Sequence, residues 1–237
     1  MAYDFDTSGT AFKVFKAGVA LDDETQGAIR SVLIESSIFM PSMCELEFIE
    51  NPDRLGESSS VLRPNDVISV YAYAAGNVTG TVLFKGRVRS HEIRVDPGFG
   101  ARSVVRAFDG AHDMLAASRT VGYKQSTYAD AVRKIAKKYD LDPLVGSAIA
   151  ATTVRQDLVV QANETDWDFI CRLARSVGYV AYVRPYEVLK QSQTKLYFGP
   201  NQPAKNAPSS DSRPRGFAVG DERIITLRAM VSGGGLP

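Results

Sequence analysis

Val160-Gln161-Ala162-Asn163-Glu164-Thr165-Asp166-Trp167-Asp168-Phe169-Ile170-Cys171-Arg172-Leu173-Ala174 is the stretch on which the fold turns. Thr165-x-x-Asp168 is a capping-box signal: a hydroxyl and a carboxylate three residues later satisfy backbone N–H groups that a helix start leaves free. Trp167, Ile170, Cys171, Ala174 and Val177 then recur at helical spacing, and Phe169 and Leu173 widen the apolar face, so this helix is expected to be well buried. Gly178 supplies a left-handed helix end, and residues 179–183 resume as a strand.

Upstream, Thr127-x-x-Asp130 is a second capping box. Ala131, Val132, Ile135, Ala136 and Tyr139 form one apolar stripe, Arg133, Lys134, Lys137 and Lys138 the wet face, and Asp142-Pro143 stops the helix. A short helix is expected over 111–117, after Asp109-Gly110. The first hundred residues read instead as strands, over 29–35, 43–49, 67–74, 79–89 and 103–108. Turn signals separate them: Glu50-Asn51-Pro52-Asp53, Arg63-Pro64-Asn65-Asp66, Gly76-Asn77 and Asp96-Pro97-Gly98. Short strands at this spacing argue for a barrel or sandwich. Residues 67–74 carry apolar or aromatic groups on both faces, which suits a strand covered on both sides or one at an interface. Residues 56–60 read as a mobile loop and 199–216, rich in proline and serine, as a loop or linker. Strands over 195–198 and 224–231 complete the count, and the glycine run at 233–235 reads as the entrance to further chain or another subunit.

The 237 residues allow one large domain or two modest ones. Lysine plus arginine number 28 against 27 acidic residues, a net charge of +1, so no overall basic field points to nucleic acid or an anionic membrane. Hydrophobic residues at 44% and charged ones at 23% place the chain among globular proteins rather than disordered ones. Two cysteines, Cys44 and Cys171, make neither a disulfide framework nor a C-x-x-C site. The start lacks a basic, apolar leader, and no run approaches the roughly 18 apolar residues of a membrane span. A soluble protein made and folded in the cytoplasm is expected.

Residues of the kind that carry chemistry are few. His112 lies between Asp109 and Asp113, but at a strand-to-helix junction Asp109 more naturally caps the helix. His91 is expected to face solvent. Asp22-Asp23-Glu24 lacks the spacing of a calcium loop, and Gly98-Phe99-Gly100 has no lysine or helix start behind it to hold phosphate. Both cysteines fall on apolar faces and read as inert core residues. With no G-x-S-x-G, no H-E-x-x-H and no convergent carboxylate pair, the expectation is no catalytic activity, no cofactor and no metal site. One alternative is a LysM-like peptidoglycan-binding module over 126–141, where an amphipathic basic helix is the shared element; residues 121–125 make a poor first strand for it.

Three stretches together resemble one family. Residues 105–115, with Asp109 at their centre, are similar to the strand–Asp–helix junction of phage late-control protein D homologues. Residues 127–140 fall where that family has its Ala- and Lys-rich helix. Asn163, Glu164, Thr165, Asp166, Trp167 and Phe169, leading into Gly178 and Tyr179, resemble its most recognisable segment. The family includes baseplate hubs of contractile phage tails and the VgrG spikes of type VI secretion. The resemblance, over about residues 10–200, implies an α+β, mainly β fold: tail-tube-like β-barrels with an inserted small helical α/β domain. Its divisions would be 1–108 for the first barrel, 109–178 for the insertion, and 179–237 for part of a second barrel leading to a spike. It implies a homotrimer that adapts a six-fold inner tail tube to a three-fold spike and meets the spike or spike-tip protein and baseplate wedge proteins, without nucleic acid or a membrane span. Such a hub would work in a phage tail or a contractile injection system, with residues 232–237 near the three-fold axis. A hub fused to a cell-wall hydrolase is a second alternative, and would need a paired acidic site that is not seen.

Overall fold

The computed structural model describes residues 11–51, 56–57, 59–73, 80–96, 100–145, 154–188 and 191–200. The expected strand over 224–231, the 201–216 part of the linker and the glycine-rich end lie outside the described residues. The protein is mainly β. Its first body is one seven-stranded antiparallel sheet made of β1 (Ala11–Lys16), β2 (Val19–Ala20), β3 (Ile29–Glu35), β4 (Met43–Glu50), β5 (Val67–Tyr73), β6 (Thr81–Asp96) and β7 (Gly100–Phe108), in the order β2-β1-β5-β6-β7-β4-β3. Alternate residues of these strands, among them Val14, Leu46, Phe48, Val70, Phe84, Val88 and Val105, point to one side and make a single apolar core.

A closed barrel is not formed: no ladder joins β2 to β3 among the described residues. A short helix, α1 (Asp23–Ala28), lies in the seam instead, packing against β3 and β4. Its Gln26 side chain completes the β1 edge as a strand would. Oε1 accepts from Val14 N at 2.9 Å and Nε2 donates to Phe12 O at 3.5 Å, while Leu21 N donates to Val14 O at 3.0 Å. Unsatisfied edge groups are thereby covered inside the chain.

β5 is buried on both faces, as its composition implies, but within the chain: Phe15 packs edge-on against Tyr71, with ring centroids 5.0 Å apart. Its apolar outer face therefore makes no demand for a neighbouring subunit. The 56–60 segment is not a free loop at its anchor. Ser59 is fully buried; its N and Oγ both donate to Glu50 Oε1, at 3.1 and 2.6 Å, and its Oγ lies 2.7 Å from His91 Nε2. His91 is accordingly half-buried rather than turned to solvent.

The second body begins at α2 (Gly110–Asp113), shorter than expected, and continues through β8 (Ser118–Ser126), α3 (Tyr128–Lys138), β9 (Asp142–Val145), β10 (Gln156–Thr165), α4 (Asp166–Ser176), β11 (Tyr179–Val188) and β12 (Gln191–Pro200). β8 and β10 form a two-stranded ribbon; β11, β12 and β9 form a three-stranded sheet in which β9 runs parallel to β12. Ile135 from α3, Trp167, Ile170 and Leu173 from α4, Ala181 from β11 and Phe198 from β12 share one core. That core crosses position 178, so a distinct inserted helical domain is not separated from the strands after it.

Candidate functional site at the joint of the two cores

The polar segment before α4 is shaped by a bulge. Register shifts between Gln161 and Glu164, and Asn163 turns into the left-handed region at φ 50°, its N donating to Thr120 Oγ1 at 3.2 Å. The turn presents Glu164 to Arg172, whose guanidinium reaches it at 2.6 Å and holds its carboxyl below the ordinary range. Thr165 caps α4 by accepting from Asp168 N at 3.0 Å. The box is half-made, because the Asp168 carboxylate takes the Thr165 hydroxyl at 2.6 Å rather than the cap N–H. Thr127 and Asp130 of α3 make both halves.

Asp166 is buried and accepts from Lys138 Nζ and Tyr139 OH at 2.7 Å and from Gln161 Nε2 at 2.9 Å. Burial pulls its pKa up, and these donors outweigh it, so the carboxyl stays below its usual value. It ties α3, the ribbon and α4 together. Phe169 stacks on Tyr123 of β8 with centroids 5.6 Å apart. Gly178, at φ 68°, releases the chain into β11, where Tyr179 is buried edge-on against Phe198.

The remaining motif residues converge on the loop between β3 and β4. Trp167 Nε1 donates to Phe39 O at 3.1 Å, Phe39 N donates to Ala181 O at 2.8 Å, and the Arg175 guanidinium lies 4.4 Å from the Phe39 ring centre. Three residues on, Ser42 N donates to Asp109 Oδ2 at 2.9 Å while Asp109 N donates to Ser42 O at 3.0 Å. Asp109 also caps α2, accepting from Ala111 N at 2.9 Å. Burial pushes its pKa up to about 6 despite those donors. Trp167 and Asp109, distant in sequence, thus grip the two ends of one loop and join the second core to the first. Phe39 itself sits at φ 65°, a left-handed conformation unusual for a bulky residue.

Phe39 and Ser42 were not among the residues singled out from sequence. Their signal is the apolar run Ile38-Phe39-Met40-Pro41 between two strands, where a polar turn is the rule. Burial drives the Cys171 thiol, beside the joint, and the Cys44 thiol, in the first core, up to about 12. His112 stacks on Phe108, and Asp113 pairs with Arg89 and Arg87. Ser59 lies against His91 and Glu50 but is fully enclosed. Among the described residues no cluster of metal-ligating side chains occurs, and no helix is long and apolar enough to cross a membrane.

The fold is similar to that of solved tail proteins. The 43 kDa tail protein of prophage MuSo2 from Shewanella oneidensis superposes with a TM-score of 0.57 at 12% identity, over 79% of this chain and 53% of that one. A type VI secretion system component from E. coli gives 0.52 at 15% identity, over 78% and 49%, and a tail protein from Neisseria meningitidis gives 0.52 at 16%, over 80% and 50%. The chain spans about half the length of these proteins. No curated protein matches the sequence. Residues 9–195 match the family model described as the Alg8 N-terminal domain, and the chain belongs to that family.

Proposed function

We propose that the protein is a structural baseplate component of a phage tail or contractile injection system, acting as a homotrimeric hub between the tail tube and the spike, without enzymatic activity. The observation that carries the reading is the joint: Trp167 and Asp109 spend their polar groups on fixing one body to the other rather than on a cleft. A mechanical adaptor needs that kind of rigidity across its bodies, and the likeness of fold to tail proteins and to a type VI secretion component supports the same role. The tube protein, the spike and the wedge proteins are the partners this role requires. Stoichiometry tests it. Quantitative mass spectrometry of purified particles should find three copies of the chain per particle; its absence from intact particles would refute the role. A zymogram and a peptidoglycan sedimentation assay should both be negative, and a positive result in either would restore the hydrolase or the LysM-like alternative.

A further inference from the structure

The ribbon of β8 and β10 has two outer edges, and the described chain finishes one of them. On β10, Arg172 Nη2 donates to Val160 O at 2.7 Å, and in the bulge the Glu164 carboxylate accepts from Ala162 N at 3.3 Å. Because Val160 turns its carbonyl outward, Val160 and Gly122 face each other as a pair without mutual hydrogen bonds. Alternation along β8 then points the N–H and C=O groups of Thr120 and Gly122, and the N–H of Lys124, away from β10. These groups have no partner among the described residues, and all three residues are exposed. Gln125, at φ 44°, ends the regular edge. A row of unpaired strand groups is a template for another strand, which folded proteins ordinarily cover.

The side chains beside that edge decide what it can take. Lys124 and Leu158 stand opposite each other on the outward face, and Leu158 Cδ1 comes within 3.2 Å of where a Gly122 Cβ would stand, so an exposed apolar side chain leans over the glycine. On the other face, Lys134 Nζ lies 5.9 Å from the ring centre of Tyr123. Neither lysine has a carboxylate partner among the described residues. β8 carries no acid of its own, and its other cation, Arg119, is already taken by Asp166 at 3.5 Å. A lysine on an edge discourages pairing in general, but favours a strand that brings an acid opposite it. We propose that residues 120–124 of β8 take an extended acidic segment of a partner protein as an added strand, its carboxylates meeting Lys124 and Lys134 and an apolar residue opposite Gly122 resting on Leu158. A second copy fits worse, since two β8 edges would bring cations together with no acid between them. The inference goes beyond the hub reading and does not rest on it.

Fluorescence anisotropy on the full chain tests it with a labelled Ser-Glu-Glu-Val-Val-Thr-Ser peptide and a counterpart carrying Lys in place of Glu. Two further versions of the acidic peptide are N-methylated on its odd or its even residues. The acidic peptide should bind saturably and the lysine counterpart less well. One N-methylated version should lose binding and the other keep it, because only one edge of an added strand bonds to β8. Lys124→Glu should weaken the acidic peptide about tenfold and strengthen the lysine counterpart, while Arg30→Gln on β3 should change nothing. No saturable binding, equal binding of the two N-methylated versions, or an unchanged preference in a Lys124→Glu variant that circular dichroism shows to be folded would each overturn the proposal. Sedimentation showing a dimer of the free chain that the acidic peptide does not disperse would give the edge to a second copy and overturn it too.

Discussion

Asp109 and Trp167 grip the same loop by different physics. Trp167 is enclosed in the second core and uses its one polar group on Phe39 O. Trp167→Ala should lower unfolding free energy by about 3–5 kcal/mol, since it opens a cavity and orphans a carbonyl. Trp167→Phe keeps most of the ring, so its smaller loss in urea denaturation isolates the hydrogen bond. No loss in Trp167→Phe would mean the indole N–H does nothing. Asp109 makes stability depend on pH. Its folded-state pKa of about 6 exceeds the ordinary 3.8, so the native state binds the proton more tightly than the unfolded chain. Its contribution is full below pH 3.8 and is lost as pH rises through about 6, a change on the order of 3 kcal/mol. The difference in stability between wild type and Asp109→Asn should fall across that window and stay level above it; a flat difference would contradict the buried carboxylate. Both residues were legible in sequence, Trp167 from helical spacing and Asp109 from its place before Gly110, but only as a core residue and a cap. Their shared target was not, because the loop lies far from both in sequence and its φ 65° at Phe39 has no local signature.

At the scale of elements, capping chemistry and periodicity located α3 and α4, since both act within a single turn or face. β8 and β10 escaped: eight of nine β8 side chains are exposed or half-buried, so no alternation marks the strand, and cross-strand pairing alone defines it. β9 is four residues long and contains Pro143, which reads as a stop rather than an edge strand. Thr127→Ala should cost about 1 kcal/mol, because Thr127 accepts from Asp130 N at 3.0 Å. Gly86 is more demanding. A Cβ there would stand 2.2 Å from Phe108 O across the β6–β7 pairing, so β6 cannot take a side chain without shifting. Gly86→Ala should cost about 2–3 kcal/mol by thermal denaturation, the range for forced overpacking. A neutral outcome would mean that the two strands lie farther apart than described.

For the whole molecule, strand content was readable and closure was not. The seam between β2 and β3 is covered by α1 through Gln26, whose amide takes the place of a strand partner. No propensity signals that role. The two cores are then joined through the Phe39–Ser42 loop, which the proposed hub role would require. Cryo-electron microscopy of intact particles puts that account to its most direct test. It predicts three copies of this chain around the axis at the junction of tube and spike, with both cores in each copy joined through Phe39. Six copies within the tube wall, or particles whose tube–spike junction contains none, would contradict it.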